Sequence, residues 1–186
     1  MSQVKGSKIS LKLAFVKEHY GEEKLAELIA SMDTADRLAL KIVLDTGWYG
    51  ISLYQRLVIA ICRICASGDE TVYDRIGAHS AQLSLDSVYK VFQAKNPLVA
   101  LKNMAPLHSL MNDPGEMTVT PGEAGHCVVT VVEPKSIPEI CRVARAFYKR
   151  TVELCGGNQV VVDHRLCSGN GERFCEFDIR WQLNPS

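Results

Sequence analysis

The chain has 186 residues, nearly half of them hydrophobic, enough for one domain to bury a core without covalent staples. Its 21 acidic and 21 basic side chains cancel, so the composition carries no pull toward nucleic acid or an anionic membrane surface. No apolar run is of transmembrane length, and Met1-Ser2-Gln3-Val4-Lys5-Gly6 lacks the apolar core of a signal peptide, which makes the expected setting cytoplasmic.

Taken in order, residues 8 to 31 have helical periodicity with an interruption near Gly21: Leu11, Leu13, Ala14 and Val16 make one apolar face, and Leu25, Leu28 and Ile29 the next. Asp33 is placed to cap a following helix carrying Leu38, Leu40, Ile42 and Val43. After Asp45-Thr46-Gly47 and Trp48-Tyr49-Gly50, a helix over Ile51 to Ala66 is apolar nearly all round and is expected to be central. It contains Cys62 and Cys65, which read as reduced core thiols. A further helix is expected from Asp69 to Phe92, with Val72, Ile76, His79, Leu83, Val88 and Phe92 in its apolar row. Asn96-Pro97 starts the next, which aligns Leu101, Met104, His108 and Met111 and should kink at Pro106.

Beyond Asn112-Asp113-Pro114-Gly115 the pattern changes. Met117 to Thr120 and His126 to Val132 read as strands joined by a turn at Pro121-Gly122. Ser136-Ile137-Pro138-Glu139 has the form of a capping box, opening a helix with Ile137, Ile140, Cys141, Ala144, Phe147, Tyr148 and Thr151 inward, and Cys155-Gly156-Gly157 stops it. Asn158 to His164 and Phe174 to Trp181 are the last strands, the latter with Cys175, Phe177, Ile179 and Trp181 on one face and Glu176, Asp178 and Arg180 on the other. The fold class expected is therefore a single α+β domain: a helical half over residues 1–112 packed on a small antiparallel sheet from a β-β-α-β-β unit over 113–186.

Most of the chemistry lies in Asp163-His164-Arg165-Leu166-Cys167-Ser168-Gly169-Asn170-Gly171-Glu172-Arg173-Phe174-Cys175. Two cysteines and a histidine at a hairpin suit zinc, and a closed structural site needs a fourth ligand. Cys141, on the inner face of the preceding helix, can approach the turn. The set would then be Cys141, His164, Cys167 and Cys175, with Asp163 as an alternative to His164. Buried thiols beside a surface histidine would give the same sequence pattern.

The Cys-x7-Cys hairpin with Gly-rich filling and the alternating strand after it resemble the end of the 4-vinyl reductase type domain. They are similar, too, to the effector-sensing domains of bacterial activators that respond to phenols and other aromatics. The resemblance implies a zinc held by a helix cysteine, a residue three before the first hairpin cysteine, and both hairpin cysteines. Those positions are Cys141, His164, Cys167 and Cys175 here, with His164 standing where those sensors carry a glutamate. The wider group includes transport-particle (TRAPP) subunits and haem-binding H-NOX domains. The early Trp48-Tyr49 and the late Gly115 resemble an uncharacterised myxobacterial family. These likenesses imply a pocket between helices and sheet, for which Trp48, Tyr49, His79, His108 and Met111 are candidate linings.

Leu101-Lys102-Asn103-Met104-Ala105-Pro106-Leu107-His108 is similar to the H-NOX segment whose final histidine ligates haem iron. The Tyr-x-Ser-x-Arg motif that holds the propionates is missing from Thr130 to Lys135, which reads Thr-Val-Val-Glu-Pro-Lys. No catalytic motif stands out in the sequence. The expected function is a non-enzymatic sensor or binding module with a structural zinc and a small hydrophobic or aromatic ligand, signalling through a partner protein or a homodimer face. The alternatives are a haem-based gas sensor using His108 and a TRAPP-type protein adaptor.

Overall fold

The computed structural model describes residues 2–86, 95–133 and 136–183. The chain opens with β1 (Gln3–Lys5), α1 (Gly6–Ser31) and α2 (Thr34–Lys41), followed by β2 (Trp48–Gly50) and α3 (Ile51–Ala60). The last of these runs on as a π-helical turn over Ile61–Cys65, where the sequence pattern had suggested a uniform helix to Ala66. Then come α4 (Thr71–Asp86), α5 (Pro97–Met111), β3 (Asn112–Asp113), β4 (Glu116–Pro121), β5 (His126–Val132), α6 (Pro138–Leu154), β6 (Gly157–Leu166) and β7 (Cys175–Leu183). The expected Val88 and Phe92 end of the fourth helix lies outside the described residues.

The α+β architecture agrees with the sequence reading. The main sheet is antiparallel in the order β4-β5-β7-β6, with α6 as the connection between its two hairpins. A second sheet, β2-β1-β3, is an addition that the helical reading of residues 1–112 did not foresee. Its strands are two or three residues long, too short for a period-2 signal to build up.

Local signals explain most element ends. The Asp33 carboxylate accepts from the Asp36 amide to cap α2, and the Asn96 side chain accepts from Leu98 and Val99 to cap α5. Gly21, at φ 85°, breaks the helical geometry inside α1. Pro106 is accommodated inside α5, which continues to Met111.

Three expectations need correction. The fully buried stripe at the start of α1 is Ile9, Lys12, Phe15 and Val16, because that side faces α3 and α4; Leu11, Leu13 and Ala14 are only half-buried. Ser136 is no capping residue: α6 begins at Pro138 after Ile137 with no side-chain cap, and the Ser136 hydroxyl lies 3.3 Å from Cys141 Sγ instead. On β7, Cys175, Phe177, Ile179 and Trp181 are buried as the alternation requires, but Asp178 is also 1% exposed. It is covered by Arg165 and Arg180 at 2.7 Å and by His126 at 2.9 Å, so two guanidinium groups and an imidazole replace the water it would otherwise face.

The described core falls into two main parts. One joins α1, α3 and α4, with Phe15, Leu57 and Ile76 at its centre. The other joins α5, the main sheet and α6 around Leu101, Val129 and Phe177. Helix α6 contributes to both and crosses α4 backbone to backbone. A Cβ on Gly77 would lie 2.3 Å from the Val143 carbonyl oxygen and 2.7 Å from Ala146 Cβ. Asp74 fixes the same crossing from outside, accepting from Arg145 at 2.8 Å and Arg142 at 3.2 Å.

Because the obstacle at Gly77 is backbone, Gly77→Val forces the two helices apart. We expect a loss of about 2–3 kcal/mol in chemical denaturation. An unchanged midpoint would show that the crossing is looser than described.

Candidate functional site: a Cys3His cluster on the wall of a cavity

The hairpin and the start of α6 meet as the sequence suggested. Pro138 sets the first turn of α6, which places Cys141 one turn in, 2% exposed and facing the hairpin. Between β6 and β7 the chain makes a 3-10 turn over Ser168–Asn170. Gly169 lets that turn lie against the helix: a Cβ there would be 3.0 Å from Ile137 Cα and from Pro138 Cδ. As a result, one ligand-type atom from each of Cys141, His164, Cys167 and Cys175 falls within 4.8 Å of the others.

Cys141 Sγ is 3.3 Å from Cys175 Sγ and 3.6 Å from Cys167 Sγ, and all three thiols are free. A tetrahedron with zinc–sulfur bonds of about 2.3 Å has sulfur–sulfur edges near 3.7 Å, so a small expansion would accommodate the ion. Donors converge on Cys175. The Cys141 thiol, His164, and the Ser168 hydroxyl and amide, the last two 3.2 and 3.4 Å from the sulfur, hold it well below an ordinary thiol, at about 4. The shared hydrogen bond and burial push Cys141 upward in turn. Thiolate is the ligating form, and hydrogen bonds to its sulfur are the outer support that metal sites use. The His164 ring stacks on Phe177 at 4.4 Å and 9°, and its buried Nε2 has no hydrogen-bond partner. Asp163, the alternative ligand, is exposed and lies 3.6 Å from Arg180.

Cys141 and Cys175 also form part of the wall of a cavity of about 200 Å³. It lies between α1, α4 and α5 on one side and α6 with the main sheet on the other, and its lining is mostly apolar. His108 and Met111 line it, as expected. Trp48, Tyr49 and His79 do not. Trp48 is 39% exposed under the Lys5 ammonium, 4.0 Å from the ring centroid. The Tyr49 hydroxyl accepts from the Leu44 amide at 2.9 Å. His79 meets Glu18 at 2.8 Å and packs edge-on to Phe15 and His19, one to two turns further along α1 than the lining residues Leu11 and Lys12. Trp48 and Tyr49 sit on the short strand before α3, and His79 faces the neighbouring helix α1, which helical periodicity does not distinguish from a cavity wall.

The polar groups that matter in the cavity were mostly missed from sequence. Lys8 and Lys12, one turn apart on α1, both line it. Lys8 Nζ donates to Asn112 Oδ1, and Lys12 Nζ donates to Ser80 Oγ at 2.9 Å. Burial, and then the neighbouring Lys8 charge, lower Lys12 to about 7. His108 Nε2 lies 2.8 Å from Glu133 Oε1, an ion-pair distance without hydrogen-bond alignment. Burial alone would raise Glu133, but the His108 and Lys8 interactions outweigh it and hold the carboxyl below its ordinary range. The Thr151 hydroxyl is fully buried in the wall and has no hydrogen-bond partner among the described residues. Lys12 was legible in principle, since a lysine three residues from Ile9 and from Phe15 interrupts a buried stripe.

No family model matches this chain, and no curated protein matches it. Solved structures do. An Fe(II) unliganded H-NOX protein from K. algicida superposes with a TM-score of 0.71 at 13% identity, covering 98% of each chain. An H-NOX protein from S. oneidensis in the Fe(II)NO ligation state gives 0.74 at 14% identity, covering 96% of this chain and 99% of that one. An oxygen-binding H-NOX domain related to soluble guanylate cyclases gives 0.71 at 12% identity, with coverages of 97% and 95%. The fold is H-NOX-like over essentially its whole length.

Burying Lys12 disfavours the folded state as long as the ammonium is charged. With its pKa lowered from 10.5 to about 7, the unfolded chain binds the extra proton between those values, so wild-type stability rises with pH across that window. Lys12→Met should therefore stabilise the fold by on the order of a few kcal/mol at pH 6, and the gain should shrink between pH 7 and 10.5. Urea titrations at several pH values check this; a destabilised variant at pH 6 would contradict it.

Proposed function

We propose that this chain is a non-enzymatic small-molecule sensor or binding module. A ligand occupies the cavity between helices and sheet, and a structural zinc at Cys141, His164, Cys167 and Cys175 clamps the last hairpin to α6. The observation that carries the reading is the shared wall: two of the four cluster residues, Cys141 and Cys175, also line the cavity. The donor set suits zinc, and His164 brings a ring nitrogen within 4.8 Å of all three thiol sulfurs. With four protein ligands the ion has no open position, so its role is to hold geometry. The same disposition of helix cysteine and hairpin cysteines supports the likeness to 4-vinyl reductase type and aromatic-effector domains. The proposed output runs through a partner protein or a homodimer face. Among the described residues, no helix is long and apolar enough to cross a membrane.

The fold neighbours favour a second reading, a haem-based gas sensor with His108 as axial ligand. H-NOX proteins of this fold are described in Fe(II), NO-ligated and oxygen-bound states. Supporting it, the His108 imidazole lies on the cavity wall. The remaining residues do not fit the group: Glu133 stands against Nε2, and the described part of the propionate-anchor region, Thr130–Glu133, holds no Tyr, Ser or Arg. The cavity is also smaller than the roughly 300–1,000 Å³ of pockets that enclose drug-sized ligands.

Two measurements separate these readings. Elemental analysis of protein purified without added metal should give one zinc per chain, and chelation or Cys175→Ser should lower the thermal midpoint by several degrees. Zinc-free protein with an unchanged midpoint would defeat the clamp. Reconstitution with haem should give no Soret band; a stoichiometric band lost in His108→Ala would replace the first reading with the second.

A further inference from the structure

The cavity carries more positive charge than its occupant-free contacts require. Lys12 is 3% exposed, and among the described residues its single hydrogen bond is to a hydroxyl, Ser80 Oγ, which itself donates to the Ile76 carbonyl. Among the described residues no carboxylate lies within ion-pair distance of it, and the nearest charge acting on it is the repulsive one of Lys8. Among the described residues the one acidic group in the cavity, Glu133, is already engaged by His108 and lies in the field of Lys8. A buried ammonium with two unfilled donor positions is costly unless an anion answers it. Around it, the Tyr54 ring centroid is 5.4 Å from Nζ and most of the remaining lining surface is apolar. The Thr151 hydroxyl supplies a second unsatisfied polar group in the same wall.

We infer that the ligand of this cavity is a small monocarboxylate with an apolar body of about single-ring size, its carboxylate paired with Lys12. This rests on the binding-module reading above and adds the chemical class of the ligand. The size follows from the volume: an apolar cavity of about 150 Å³ holds a benzene ring, and 200 Å³ leaves room for one carboxylate more. The charge follows from Lys12. Binding would replace a repelled, half-satisfied ammonium by an ion pair in a medium where such pairing is strong. The titratable groups that line the cavity with it are Lys8 on α1, Tyr54 on α3, His108 on α5, Glu133 after β5, Cys141 and Tyr148 on α6, and Cys175 on β7.

Calorimetric titration of the full chain with benzoate and with benzyl alcohol at pH 6.5 tests the inference. The acid should bind at least tenfold more tightly than the alcohol, and in Lys12→Met that preference should fall below twofold. In the wild type itself the preference should decline as pH is raised from 6.5 to 8.5, because Lys12 loses its proton while benzoate keeps its charge. This second measurement stands even if the variant does not fold. Equal affinity for acid and alcohol, or a preference that survives both the substitution and the pH change, overturns the carboxylate assignment alone. Binding of neither probe overturns it together with the cavity reading beneath it.

Discussion

The architecture depends on helix α6 having to bury two sides at once. One side meets α4 so closely that Gly77 can carry no side chain, and the other covers the sheet through Cys141, Tyr148 and Val152. A helix with two buried sides ties two cores together, and it fixes the distance between them. Where α1, α4 and α5 do not reach α6 and the sheet, a cavity is left. The first turn of α6 is anchored differently. With no capping side chain, its position relative to the hairpin rests on the close approach of Gly169 and on the sulfur contacts of Cys141. That is where a structural ion has most to contribute, because the sulfur atoms already converge and the backbone is otherwise weakly held there.

The cavity shows the opposite economy of interactions. Apolar side chains provide most of its surface, yet two lysines, a histidine and a glutamate are brought into it. His108 and Glu133 lie against each other at 2.8 Å, and Lys8 is balanced by the Asn112 side chain and the field of Glu133. Lys12 has no such compensation. Removing it should help the fold, which is the mark of a residue retained for binding rather than for stability. The hydroxyl of Thr151 belongs to the same class, since a valine of equal shape would leave no polar group unsatisfied.

Much of this was legible in the sequence. The order of the helices and main-sheet strands and the pairing of the last two strands came from periodicity, caps and glycines, signals that act within a few residues. Cys141, His164, Cys167 and Cys175 could be grouped before any coordinates because the hairpin brings three of them together and the helix face supplies the fourth. The cavity was less readable. Its lining is assembled from elements far apart in the chain, and a histidine on an apolar stripe looks the same whether it faces a void, as His108 does, or a neighbouring helix and its glutamate, as His79 does. Trp48 and Tyr49 were misplaced because the three-residue strand that carries them has no periodicity to read. Ser136 failed as a cap for a reason of tertiary origin: its hydroxyl lies against Cys141.

The central claim is that one wall carries both a closed metal clamp and the boundary of a ligand site. Anomalous diffraction from crystals grown with benzoate tests both halves together. The account predicts a single zinc peak enclosed by Cys141, His164, Cys167 and Cys175, and ligand density whose carboxylate meets Lys12 Nζ. An ordered structure with no metal at those four residues and only water beside Lys12 would contradict it.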